Sequence, residues 1–144
     1  QKELAEIQEA LSRQDFTRVW GEHNVEAIND IYSTDFRGHG FPLFQTLSRE
    51  QYRRTVEYFQ TMFPDCWIEL KDMNADEDFV YASWKFHGTH KNSIAGIPAS
   101  QARIQFSGSG RHRHRNGKVV EAWLDVEWIS ILRQIGQEYL PYSE

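Results

Sequence analysis

At Pro64 the spacing of apolar residues changes from helical to strand-like, and this one change restricts the chain to an α+β architecture. Before it, Tyr52, Val56, Phe59 and Phe63 fall on one helical face, after Ser48 and Gln51 supply a Ser-x-x-Gln capping box. Pro64 cannot continue the helix. After it, Cys66, Ile68 and Leu70 alternate with polar residues, and Val80, Ala82, Trp84 and Phe86 repeat the period of two beyond an acidic turn at Asn74 to Asp78.

The rest of the chain extends this plan. Leu4, Ile7 and Leu11 predict a first helix whose buried stripe then moves to Phe16, Val19, Trp20 and His23, so the helix should rotate or bend near Gln14. A short second helix buries Val25, Ile28, Ile31 and Tyr32, and Ser33 to Leu47 reads as irregular. A loop around Gly96-Ile97-Pro98 precedes a long strand from Ala102 to Arg115, and Asn116-Gly117 turns it into a last strand, Lys118 to about Trp128. The sequence has 144 residues, enough for one domain with one core, and we expect a single domain over 1–144.

Composition excludes several classes. A net charge of −5 offers no global basic field for nucleic acid. The run from Arg111 to Arg115 places its three arginines on one strand face opposite Glu121, which cross-strand pairing explains. Cys66 is the only cysteine, so an internal disulfide and a cysteine zinc site are excluded, and no apolar run is long enough to span a bilayer. A cytoplasmic location, no membrane partner, no metal and no cofactor are the resulting expectations. An aromatic content of 14% suits the wall of a pocket for a hydrophobic small molecule.

Five segments in order resemble the SnoaL-like polyketide cyclases, which have the nuclear transport factor 2-like fold. They are Tyr32 to Gly40, with its acidic loop and His-Gly; Ser48 to Asp65; Gly88-Thr89-His90 with Gly96-Ile97-Pro98; Asn116 to Trp123; and Leu132 to Gly136. The resemblance implies about three N-terminal helices on a strongly curved antiparallel sheet, a short C-terminal helix, and a deep pocket. There, family members use an Asp and a His for cofactor-free aldol cyclisation. It also places those two residues at Gly110 and Leu124, where neither side chain can move a proton.

The last hairpin decides which residues face the pocket. A two-residue turn at Asn116-Gly117 would mix charged and apolar residues on both faces, whereas a three-residue loop from Arg115 to Gly117 pairs even with even positions. We therefore expect an inner face of Ile104, Phe106, Gly108, Gly110, His112, Val120, Ala122, Leu124, Val126 and Trp128, and an outer lattice of ion pairs. The pocket should also be lined by Trp20, Tyr58, Phe59, Phe63, Trp84 and Phe86, with an open floor at Gly108 and Gly110. His112 leads the acid–base candidates, followed by His39 and His90, while His114 beside the turn should be exposed. Asp125 points outward unless a β-bulge swings it in. Trp123 on the outer face suggests a homodimer. Two functions remain open: acid–base chemistry (cyclisation, isomerisation or lyase) on a hydrophobic ketone, ester or lactone, or non-catalytic small-molecule binding.

Overall fold

The computed structural model describes residues 2–42, 44–93 and 96–136. Helix α1 (Lys2–Gln14) passes directly into a π-helical segment (Asp15–Gly21), and a 3₁₀ turn (Val25–Ala27) leads into α2 (Ile28–Ile31). Strands β1 (Tyr32–His39) and β2 (Thr46–Leu47) precede α3 (Arg49–Met62). Then come β3 (Trp67–Asp76), β4 (Phe79–Thr89), β5 (Arg103–Arg115), β6 (Lys118–Val126) and α4 (Ile129–Gln134). The six strands form one curved, unclosed sheet in the order β2-β1-β6-β5-β4-β3, and α1 and α3 cover its inner face.

The helix signals translate directly. Ser48 Oγ accepts from the Gln51 amide while the Gln51 side chain accepts from the Ser48 amide, closing the predicted box at the start of α3. The stripe shift near Gln14 is the entry into the π-helical segment, whose wider turn changes which residues face inward. The expected buried face of α1 is wrong, however. Leu4 and Ile7 are 44% and 62% exposed, while Gln8, Ser12 and Asp15 point inward. The inner side of α1 meets polar groups rather than a greasy core: Gln8 Nε2 donates to the Glu77 carbonyl at 2.7 Å, tying the helix to the β3–β4 turn.

The stretch read as irregular contains β1, which runs parallel to β6 and buries Tyr32, Phe36 and Gly38. Its register shifts between Tyr32 and Arg37, and the polar run Ser33-Thr34-Asp35 at that irregularity hides the period of two. After β1 the backbone turns at Gly40 (φ +84°), and a Cβ there would lie 2.1 Å from the Leu124 carbonyl oxygen. Only glycine lets this loop rest on β6.

The β5–β6 hairpin reaches the expected pairing by a different route. Arg115 pairs with Lys118 across a two-residue turn with φ of 53° at Asn116 and 78° at Gly117, the signature of a type I′ turn. A bulge follows where Arg113 pairs with Glu121 but His114 pairs with Val119. The extra residue restores even-with-even pairing, so Gly110 faces Leu124 and His112 faces Ala122. Val119, rather than the expected Val120, is fully buried at the inner end of the strand.

Candidate active site

The inner wall encloses a cavity of about 90 Å³ between α3, the π-helical segment and the sheet. Of the residues expected to line it, Trp20, Phe59, Trp84, Phe86, Phe106, Gly110, Leu124 and Trp128 do so. Three do not. Tyr58 lies on the outer side of α3 and is 38% exposed. Phe63 is fully buried behind the wall, stacked on Phe59 with ring centroids 6.1 Å apart. At Gly108 the floor is occupied, because the Trp84 ring would lie 2.3 Å from an added Cβ. The floor at Gly110 is closed as well: a Cβ there would meet the Trp123 carbonyl oxygen at 2.5 Å and Leu124 Cδ1 at 3.4 Å. Gly110→Ala should therefore lower stability by about 1–3 kcal/mol through overpacking against backbone. Denaturant unfolding checks this, and an unchanged midpoint would show that β6 yields freely.

The four acid–base candidates separate cleanly. His39 lies on the outer face, donating from Nε2 to Glu121 at 2.7 Å and stacking on Trp123, because its partner across the sheet is an outward position. His90 is fully buried beyond the end of β4, where its Nδ1 accepts from the Ser100 amide at 3.1 Å and its ring lies beside Phe63. It holds the loop and does not reach the cavity. Asp125 is exposed opposite Ser109; the bulge lies on its turn side and keeps it outward. Only His112 lines the cavity.

The carboxylate linked to His112, through the Tyr32 hydroxyl, comes from the helix. Asp15, the first residue of the π-helical segment, is 7% exposed and lies against the cavity. Its Oδ1 accepts from the Tyr52 hydroxyl at 2.9 Å and from the Tyr32 hydroxyl at 3.0 Å. Tyr52 also approaches Oδ2 at 3.2 Å and itself accepts from Trp20 Nε1 at 3.2 Å. The Tyr32 oxygen lies 3.3 Å from His112 Nε2. Burial, only partly offset by the two tyrosine hydrogen bonds, pushes the Asp15 carboxyl up to about 6. Burial, with Asp15 nearby, holds both tyrosines well above their ordinary range, so they remain neutral donors. Burial, with a smaller contribution from His114, pushes His112 down to about 3, so its imidazole is uncharged at neutral pH. His114, expected to be exposed, is 4% exposed and shares the Ser12 hydroxyl with His112.

Asp15 and Tyr52 were missed as site residues, although a signal existed. Leu11, Asp15 and Val19 are spaced by four, so an acid interrupts an otherwise apolar helical face where the stripe changes phase.

Residues 10–135 match the SnoaL-like polyketide cyclase family, which is 126 of the 144 residues counted inclusively. The chain belongs to the SnoaL-like polyketide cyclase family. Solved structures share its fold. A candidate SnoaL-like polyketide cyclase from Jannaschia sp. CCS1 superposes with a TM-score of 0.82 at 16% identity, covering 91% of this chain and 92% of the other. AclR from Streptomyces galilaeus, a candidate hydroxylase, gives 0.78 at 23% identity, covering 90% and 95%. A candidate polyketide cyclase from Acidithiobacillus ferrooxidans gives 0.77 at 23% identity, covering 90% and 94%. No curated protein matches the sequence. In this chain Gly110 and Leu124 lie on the inner wall and Asp15, from the helical segment, faces the same cavity.

Among the described residues no group of His, Cys, Asp and Glu is arranged to hold a metal, and no helix is long and apolar enough to cross a membrane. Burial pushes the Cys66 thiol up to about 12, so it is not a nucleophile at neutral pH. On the outer face Arg113 pairs with Glu121 at 2.9 Å as the expected lattice requires. Arg111 instead lies over the Trp123 ring at 4.3 Å, and Trp123 is half-buried among Arg111, His39 and Phe79 rather than exposed.

Proposed function

We propose that this protein catalyses cofactor-free proton transfer on a small hydrophobic ketone, ester or lactone, with Asp15 as the base. The observation that carries the reading is a buried carboxylate on the cavity wall, raised to about 6 and held by two neutral tyrosine hydroxyls. A base of that strength is largely ionised at neutral pH yet basic enough to take a proton alpha to a carbonyl. Oδ1 accepts two hydrogen bonds and Oδ2 shares one, so Oδ2 is the less committed oxygen and the one to take a substrate proton. As Asp15 takes the substrate proton its hold on the Tyr52 hydroxyl weakens, and that one O–H turns from the carboxylate to the developing enolate oxygen. His112 stays neutral and holds Tyr32 in place. Cyclisation and isomerisation share this first step.

The cavity limits the substrate. About 90 Å³ is well below the roughly 300–1,000 Å³ of a pocket for a drug-sized ligand. A substrate with one carbonyl at the polar end and a compact apolar body fits it. Pairing of two copies through the outer sheet face belongs to the same proposal, supported by Trp67 and Tyr81, 47% and 40% exposed on that face.

The alternative, a non-catalytic binding protein, draws on Gly110 and Leu124 where the resemblance implies the acid–base pair. Exchange of alpha protons for deuterium in a panel of small cyclic ketones and lactones, followed by proton NMR in heavy water, separates the two. Wild-type protein should accelerate exchange of at least one member, and Asp15→Asn should not. A ligand that binds, shown by a raised melting temperature, without any exchange would favour the binding function.

A further inference from the structure

The polar groups behind Asp15 form one continuous chain with a single consistent direction. Tyr32 has one hydroxyl proton, and it is donated to Asp15 Oδ1 at 3.0 Å. The Tyr32 oxygen, 3.3 Å from His112 Nε2, must therefore accept from that nitrogen. A neutral His112 with its proton on Nε2 presents a bare Nδ1, which takes the Ser12 hydroxyl proton at 2.8 Å. The Ser12 oxygen then accepts from His114 Nε2, also at 2.8 Å. This leaves His114 Nδ1 bare, and it is buried without a hydrogen-bond partner among the described residues. Every link is satisfied, and every donor points toward Asp15.

We propose that Ser12, His112, His114 and Tyr32 form a proton relay to Asp15, so that protonation of the carboxyl and the tautomers of both histidines change together. The balance is complete. A proton joins His114 at Nδ1, and the proton on its Nε2 passes to the Ser12 oxygen. The Ser12 hydroxyl proton passes to His112 Nδ1, the His112 Nε2 proton to Tyr32, and the Tyr32 proton to Asp15. The start has a carboxylate and two neutral imidazoles with Nε2–H; the end has a carboxylic acid and two neutral imidazoles with Nδ1–H. One proton has been taken up at His114 and none of the intermediate groups is left charged. Run backwards, the relay empties Asp15 after it has taken a proton from substrate.

His114 lies under the exposed turn between β3 and β4, and the relay loads and empties only when solvent admitted at that turn exchanges a proton with its buried Nδ1. The His114 amide donates to the Asp78 carbonyl at 2.7 Å, in the exposed turn between β3 and β4, and α1 crosses the same turn through Gln8. The titratable groups facing the relay are Asp78 from that turn, Tyr52 from α3 and Tyr32 from β1. Burial keeps both imidazoles uncharged, His114 down to about 4, with Asp78 opposing the shift. Ser12 and His114 are thus positioning residues that act through Tyr32, and the inference rests on the reading of Asp15 as the titrating base.

The test is NMR of protein labelled with nitrogen-15 in the histidine rings and carbon-13 in the aspartate carboxyls, titrated from pH 8 to 5. As the Asp15 carboxyl signal moves, both His112 and His114 should exchange their protonated and bare ring nitrogens at one shared midpoint, neither becoming imidazolium. Ser12→Ala should abolish the change at His114 while Asp15 still titrates, and Asp15→Asn should abolish it at both. Histidines that keep one tautomer, switch at different midpoints or become charged while Asp15 titrates overturn the relay and leave the base reading standing. An Asp15 carboxyl that does not titrate in this range overturns both.

Discussion

Asp15→Asn should make the protein more stable at pH 8 while removing its activity. A carboxyl raised from 3.8 to about 6 by burial is an ionised group placed where its charge is unwelcome. Because the folded-state value lies above the unfolded one, its contribution to stability is full below about pH 4 and is lost as pH rises through about 6. The shift corresponds to a penalty of about 3 kcal/mol at pH 8. Asparagine keeps an oxygen to accept from Tyr32 and Tyr52 but carries no charge, so a gain of about 2 kcal/mol is expected at pH 8 and almost none at pH 4. Turnover should fall about 10²–10⁴-fold, the usual worth of a positioned base. Urea unfolding at both pH values measures the first effect. A variant less stable than wild type at pH 8 would mean that the tyrosine hydrogen bonds outweigh the burial cost, and Asp15 would be a structural anchor.

The second large effect is acid lability. His112 and His114 titrate at about 3 and about 4 in the folded chain, against 6.5 when free. Folded values below the unfolded ones mean that their contribution is full above about pH 6.5 and lost as pH falls toward 4. Together they should remove about 6 kcal/mol by pH 4, against about 3 kcal/mol regained as Asp15 is neutralised, a net loss of about 3 kcal/mol. That is a large share of the 5–15 kcal/mol typical of a folded domain. In His112→Gln the decline between pH 6.5 and 4 should nearly disappear, because the remaining loss at His114 is offset by the neutralisation of Asp15. An unfolding free energy that stays flat over that range in wild type would show that the imidazoles are hydrated in the folded state.

Much of this was legible in the residues themselves. Local chemistry announced the capping box at Ser48, the ends of α3 and the strands after Pro64, because each depends on neighbours in sequence. Beyond the bulge, alternation also places His112 inside and Asp125 outside, whereas at its turn end Val119 faces in where Val120 was expected. What failed depended on partners far away. Leu4 and Ile7 look like a buried stripe until the surface opposite α1 proves polar, and that surface is built from residues some 70 to 100 positions later. His114 looked exposed because it adjoins a turn, yet α1 lies over it. The open floor at Gly108 and Gly110 ignored a tryptophan on the next strand. Asp15 escaped notice because a lone acid in a helix usually faces solvent, and only the packing of Tyr32 and Tyr52 shows otherwise.

The bulge at the base of the β5–β6 hairpin is a parity device. The two-residue turn fixes where pairing starts, and one extra residue decides whether even or odd positions of β6 look inward. Inserting one residue after Glu121, with no second bulge to absorb it, would therefore turn the strand over beyond that point, carrying Leu124 out and Asp125 in without altering the identity of either. In this architecture a change of one codon in length rewrites the acid–base character of the whole inner wall. The distance between a greasy wall and an acidic one is counted in insertions rather than in substitutions.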